Sequence, residues 1–83
     1  MKPYFVYFLQ SLKDYKYYIG VTDDVHRRLR EHNRGLCKST APRYPFTLKK
    51  VEKFPDIKSA YKRERFLKSK KSSKIIKKII ESD

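Results

Sequence analysis

Tyr4-Phe5-Val6-Tyr7-Phe8-Leu9-Gln10, a polar stretch from Ser11 to Lys16, then Tyr17-Tyr18-Ile19-Gly20-Val21-Thr22: two largely apolar runs are divided by one short polar connection. The first run is aromatic and β-branched almost throughout, as a buried strand is. The second has the same character, and the short polar connection predicts an antiparallel hairpin. Gly20, inside the second strand, marks either a bulge or a close approach of the backbone to a neighbour.

Downstream, Asp23 and Asp24 are N-cap candidates for a helix over 25–34, with Gly35 as its stop. Residues 36–45 carry Ser39, Thr40, Pro42 and Pro45 and read as a loop. Residues 46–54 alternate Phe46, Leu48 and Phe54 with lysines, the pattern of a half-exposed strand. Pro55-Asp56 ends it and caps a second helix over 57–70; Ser72-Ser73 breaks the chain before a third helix over 74–82. The order is β-β-α-β-α-α: an α+β fold with a small three-stranded antiparallel sheet flanked by three helices, one domain over 1–83.

Lys and Arg number 22 against 9 Asp and Glu, a net charge of +13 at pH 7. Such a charge favours disorder, but Leu, Ile, Val and Phe make up about a quarter of the residues, above the roughly one-fifth below which no core forms. Seven Tyr and five Phe add apolar area, so a thin but real core is expected. The single Cys37 excludes an internal disulfide and a cysteine-based zinc site. No apolar run reaches membrane-spanning length and no leader pattern opens the chain, so a cytoplasmic location without membrane contact is expected. The charge calls for a polyanionic partner, nucleic acid ahead of an anionic lipid surface.

Helical spacing places Ile57, Ala60, Glu64 and Leu67 on one stripe of the second helix. A carboxylate there needs a partner, a proton or a metal, and an i, i+4 pair with Lys68 accounts for it without any further role. On the first helix Val25, Leu29 and His32 share a face and Arg28 borders it. Taken singly, His32 reads as a core histidine and Arg28 as a solvated residue, yet both can face the sheet that Glu64 faces. Tyr7 lies mid-strand and Tyr18 near the start of its strand, whereas Tyr4, Tyr15 and Tyr17 read as packing residues. Loop residues Lys38, Thr40, Arg43 and Tyr44, with Lys68, interleave basic, hydroxyl and aromatic groups in a way that suits nucleic-acid contact. Ile75, Ile76, Ile79 and Ile80 form an apolar stripe on the last helix and are expected to pack on the sheet.

These residues resemble the GIY-YIG nuclease family. Phe5-Val6-Tyr7 stands at the first motif and Tyr18-Ile19-Gly20 is a literal second motif, with ten residues between them. The resemblance runs on through Arg28-Leu29, His32-Asn33, Gly35, Thr40, Pro45, Glu52, Arg63-Glu64 and Lys68, nearly the whole chain. It implies a metal-dependent DNA endonuclease. Glu64 would be the single metal-binding carboxylate for Mg²⁺ or Mn²⁺, and Arg28 would neutralise the phosphoryl oxygens. Tyr7 and Tyr18 would hold the attacking water, either of them as general base, with Arg28 and the metal lowering the tyrosine pKa. His32 would accept or orient the tyrosine proton, and Gly20 would let the backbone come close beneath the site. Three features depart from the family pattern. Phe5 and Val6 replace Gly and Ile, no Asn follows Glu64 (Ser72 or Ser73 is left to replace it), and the length leaves no room for a separate DNA-binding domain. Cleavage is therefore expected to be selective for DNA structure, branched or single-stranded, or weakly specific, or to depend on a protein partner. The alternative is a binding module on the same fold with weak or lost catalysis, and RNA remains an open ligand.

Overall fold

A computed structural model describes residues 2–82. Its elements follow the expected order: β1 (Tyr4–Ser11), β2 (Tyr17–Thr22), α1 (Val25–Asn33), a 3₁₀ turn (Ala41–Arg43), β3 (Phe46–Phe54), α2 (Ile57–Lys70) and α3 (Ser73–Glu81). The three strands form one antiparallel sheet in the order β2-β1-β3, so the most apolar strand is central.

Strand alternation sends successive β1 side chains to opposite faces. One face sets Val6, Phe8 and Ile19 against Ala60, Leu67 and Ile76, so α2 and α3 cover it. The other sets Tyr7 and Leu9 with Phe46 and Val25, joined by Tyr18 and Leu29, so α1 covers it. The isoleucine stripe of α3 packs on the sheet as expected: Ile76 is buried, Ile79 and Ile80 lie partly buried against the same cluster, and Ile75 remains exposed.

Each helix begins where the sequence supplies a cap. Asp24, Asp56 and Ser72 accept from the backbone N–H groups of Arg27, Ser59 and Ile75, satisfying donors that the first turn leaves open. Gly35 closes α1 with φ +71, a conformation a side chain rarely adopts.

The irregularity foreseen at Gly20 is elsewhere. Gly20 pairs in register with Tyr7, and the shift falls on the other side of β1, between Phe8 and Leu9 facing β3. Gly20 serves the second option, close approach. A Cβ built there would overlap the Tyr7 hydroxyl and come within 2.5 Å of its Cζ.

The loop after α1 is clamped at both ends. The Asn33 amide donates to the Phe46 carbonyl at 3.2 Å and accepts from its N–H at 2.6 Å, standing in for a strand partner. Ser11 donates to the Arg43 carbonyl at 2.6 Å, and Leu12 N–H donates to the Pro45 carbonyl at 2.8 Å. These ties fix the 3₁₀ turn against the hairpin.

Candidate active site

Tyr7 points from the central strand across Gly20 and is 2% exposed. Its hydroxyl lies 3.0 Å from Nε2 of His32, which is wholly buried. On its other side Nδ1 lies 2.7 Å from the Thr40 hydroxyl. Thr40 in turn donates to the Cys37 carbonyl at 3.4 Å. A hydroxyl has one proton to give, so Thr40 accepts from the Nδ1–H of His32. That leaves Nε2 unprotonated, and Tyr7 donates to it. Phenol, imidazole, threonine and carbonyl form one directed chain of hydrogen bonds.

The surroundings set the charges on this chain. Burial, with the Arg28 guanidinium as the next cause, pulls the His32 pKa down to about 4, so the ring is neutral near pH 7. Burial pushes the Tyr7 hydroxyl up to about 12, while the Arg28 guanidinium opposes the rise. The expectation that Arg28 lowers the tyrosine pKa therefore holds for its sign but not for the net result. Desolvation is the larger effect, so Tyr7 keeps its proton and offers it to a neutral base. Arg28 is held above its usual pKa, first by the Tyr7 hydroxyl and then by Glu31, to which its guanidinium donates at 3.0 Å.

Tyr18 completes an aromatic cage. Its ring lies 6.3 Å from that of Tyr7 and 5.1 Å, edge-on, from His32, and Phe46 closes the far side at 5.8 Å from His32. The Lys68 ammonium stands 5.9 Å from the Tyr18 ring and pairs with Glu64 Oε2 at 3.2 Å. Lys68 thus links α2 to the rim of the cage. The ion pair that accounted for Glu64 from spacing alone is present. No other partner touches Glu64 Oε1 among the described residues, so this oxygen is open to a further ligand. No group of three His, Cys, Asp or Glu gathers among the described residues. A lone carboxylate with a free oxygen suits a hard cation held mainly by water and phosphate oxygens.

The loop residues divide. Thr40 is fully buried and holds His32, so it does not lie on a nucleic-acid surface; a loop position without periodicity gave no sign of that contact. Arg43 is turned inward: its Nε donates to Asp14 at 3.0 Å and its guanidinium stacks 5.6 Å from the Phe46 ring. Lys38 is exposed. Ser72 caps α3, so it is committed to the backbone rather than to Glu64.

The family model described as the GIY-YIG catalytic domain matches residues 3–78. The chain belongs to the GIY-YIG family. Its curated relatives include a UPF0213 protein of Haloquadratum walsbyi, 39% identical over 83% of this chain and 79% of that one. A UPF0213 protein of Halobacterium salinarum is 46% identical over 61% of this chain and 68% of its own. The solution NMR structure of a UPF0213 protein from Bacillus halodurans superposes with a TM-score of 0.60, at 33% identity over 94% of this chain and 82% of that one. The GIY-YIG fold thus spans nearly the whole chain. Phe5 and Val6 of the first motif fall on β1, one on each face of the sheet. No helix among the described residues is long and apolar enough to cross a membrane.

Proposed function

We propose that this protein is a metal-dependent endonuclease that hydrolyses DNA phosphodiester bonds, with selectivity for DNA structure rather than base sequence. The observation that carries this reading is the Tyr7 hydroxyl bonded to Nε2 of a buried, neutral His32 at 3.0 Å, with the charge of Arg28 acting on the same hydroxyl. A phenol so placed takes a proton from an attacking water while passing its own to His32, and this transfer contributes about 10²–10⁴ in rate. Arg28, charged at every working pH, neutralises the phosphoryl oxygens with a planar donor set. Tyr18 lies beside Tyr7 and orients the water. Glu64 would hold Mg²⁺ or Mn²⁺ through its open oxygen. The ion, when bound, stabilises charge on the phosphate and the leaving oxygen. The net charge of +13 supplies salt-sensitive, sequence-blind affinity.

The Glu64–Lys68 ion pair favours a second reading, a nucleic-acid-binding module with catalysis lost, because the carboxylate already has a cation. One experiment separates the two. Labelled linear, flapped and four-way-junction DNA is incubated with wild type and Glu64→Gln, with Mg²⁺, Mn²⁺ or EDTA, at low salt. Metal-dependent cuts by wild type that Glu64→Gln abolishes, with binding kept, support the nuclease. Binding without cutting by both proteins overturns it in favour of the module.

A further inference from the structure

Lys68 stands at the rim of the cage, and beyond it the surface continues as a basic trough. Its first part runs between the start of β2 and the turn joining α2 to α3, lined by Lys16, Tyr18, Lys68 and Lys71. Its second part runs between the hairpin and α3, lined by Tyr15, Lys49, Lys74 and Lys77. Tyr17 and Ser73 line both parts, so the two form one track. We propose that this trough binds an unpaired stretch of nucleic acid and leads it to Tyr18 at the rim of the cage. The inference rests on the nucleic-acid reading of the site but not on cleavage.

Three observations support it. The first is charge. Arg27 and Lys2 pair with Asp23, Arg28 with Glu31, Arg43 with Asp14 and Arg63 with Glu52, all outside the trough. Lys16, Lys71 and Lys74 form no ion pair among the described residues, and Glu81 is the one acid along the lining. Phosphate neutralisation by such lysines is the main source of affinity for a nucleic-acid backbone.

The second is the aromatic rim. Tyr15 is 67% exposed and sits at φ +59, a left-handed conformation uncommon for a tyrosine. Gln10 holds it there by donating to its carbonyl at 3.0 Å. It is not the packing residue its sequence implies. An exposed ring beside lysines is a platform for a base face, and duplex bases, already stacked on each other, offer no free face to it. The third is the elbow. Lys71 adopts φ +49 between α2 and α3, and Lys68 of α2, Lys71 itself and Lys74 and Lys77 of α3 all border the trough.

The test is fluorescence anisotropy in EDTA, with labelled oligothymidine and a blunt duplex of equal length. It uses wild type, Tyr15→Ala, the pair Lys71→Glu/Lys74→Glu, and Lys58→Glu/Lys62→Glu as a charge-matched control outside the trough. Far-UV circular dichroism checks each fold. Wild type is expected to bind oligothymidine more tightly than duplex. Tyr15→Ala should weaken oligothymidine about tenfold and leave the duplex unchanged. The Lys71/Lys74 pair should lower the slope of log K against log salt by about 1.4, for two lost phosphate contacts, and the control pair by less. Equal loss from both pairs, or no effect of Tyr15→Ala, overturns the trough. EDTA suppresses cleavage, so a trough that binds in this way in a protein that never cuts stands while the nuclease reading falls. A protein that cuts with its oligothymidine binding unmoved by Tyr15→Ala gives the reverse.

Discussion

Tyr7 and Gly20 are cross-strand partners, and the phenol ring of one occupies the volume where a side chain of the other would stand. The glycine is needed for space and not for its backbone angles. Gly20→Ala should therefore displace the ring, break the Tyr7–His32 bond and destabilise the fold by about 1–3 kcal/mol, the usual cost of overpacking. In a Tyr7→Ala background the same change should cost under about 0.5 kcal/mol, because the clash has no partner. Urea unfolding of the four proteins of this cycle measures the coupling, and additive costs would refute the steric account.

Tyr7→Phe keeps the ring and removes the hydroxyl. Cleavage should fall about 10²–10⁴-fold. Stability should drop by about 1–3 kcal/mol, since the buried Nε2 of His32 loses its donor. Initial rates on the preferred DNA, with thermal unfolding alongside, check both. A wild-type rate would remove Tyr7 from the chemistry.

Thr40 is wholly buried and holds His32. Thr40→Val matches its shape but leaves Nδ1–H without an acceptor, so the imidazole is free to take its other tautomer. The turnover number should fall about tenfold or more with little change in KM, and Thr40→Ser should restore it. Loss of activity in the serine variant as well would point to packing alone.

The depressed pKa of His32 has a definite sign in stability. Unfolded, the ring takes up its proton near pH 6.5; folded, only near 4. Below pH 6.5 the unfolded chain binds a proton that the folded chain does not, so stability is fully present above 6.5 and is lost as pH falls towards 4. Tyr7, raised from 10.0 to about 12, gives the alkaline counterpart: its contribution is present below pH 10 and lost as pH rises through 12. Melting temperature against pH should show a steeper acid limb in wild type than in His32→Gln, and a steeper alkaline limb than in Tyr7→Phe. Parallel curves would assign the limbs to other groups.

Arg63 grips Glu52 through both arms, Nε to Oε1 at 2.9 Å and Nη2 to Oε2 at 3.1 Å, joining α2 to β3. Lysine cannot reproduce the fork, so Arg63→Lys should cost about 0.5–1 kcal/mol, more at low salt than at high. Unfolding at two ionic strengths reads this, and a cost independent of salt would assign it to lost stacking on Phe66 instead.

Most of the architecture was open to pattern reasoning because each element carries its own signal. Asp24, Asp56 and Ser72 mark helix starts, Gly35 marks an end, and the alternation in β3 marks a half-buried strand. Boundaries moved by about one residue, as at Ser11 and Asn33, where the chain leaves regular geometry gradually. Of the five residues named for catalysis, Tyr7, Tyr18, Arg28 and His32 gather directly, and Glu64 reaches the cage through Lys68. The roles of Thr40 and Arg43 were hidden for one shared reason. Both sit in an aperiodic loop whose course depends on the Asn33, Ser11 and Asp14 clamps, and those contacts span long separations in sequence. The exposure of Tyr15 is not legible from the sequence because residue type says nothing about a left-handed residue just after a turn.

The sheet acts as a partition. Val6, Phe8, Ala60 and Leu67 hold α2 and part of α3 on one side with purely apolar contacts, while Tyr7, Tyr18 and His32 occupy the other. The apolar seat of α2 and the hydrogen-bonded cage are thereby assigned to different sides of one strand, alternating residue by residue. Changes within the cage need not loosen the seat of α2. On the nuclease reading, a silenced protein that still folds and still grips its ligand is within reach of a single substitution, and such a variant would serve as a trap for that ligand.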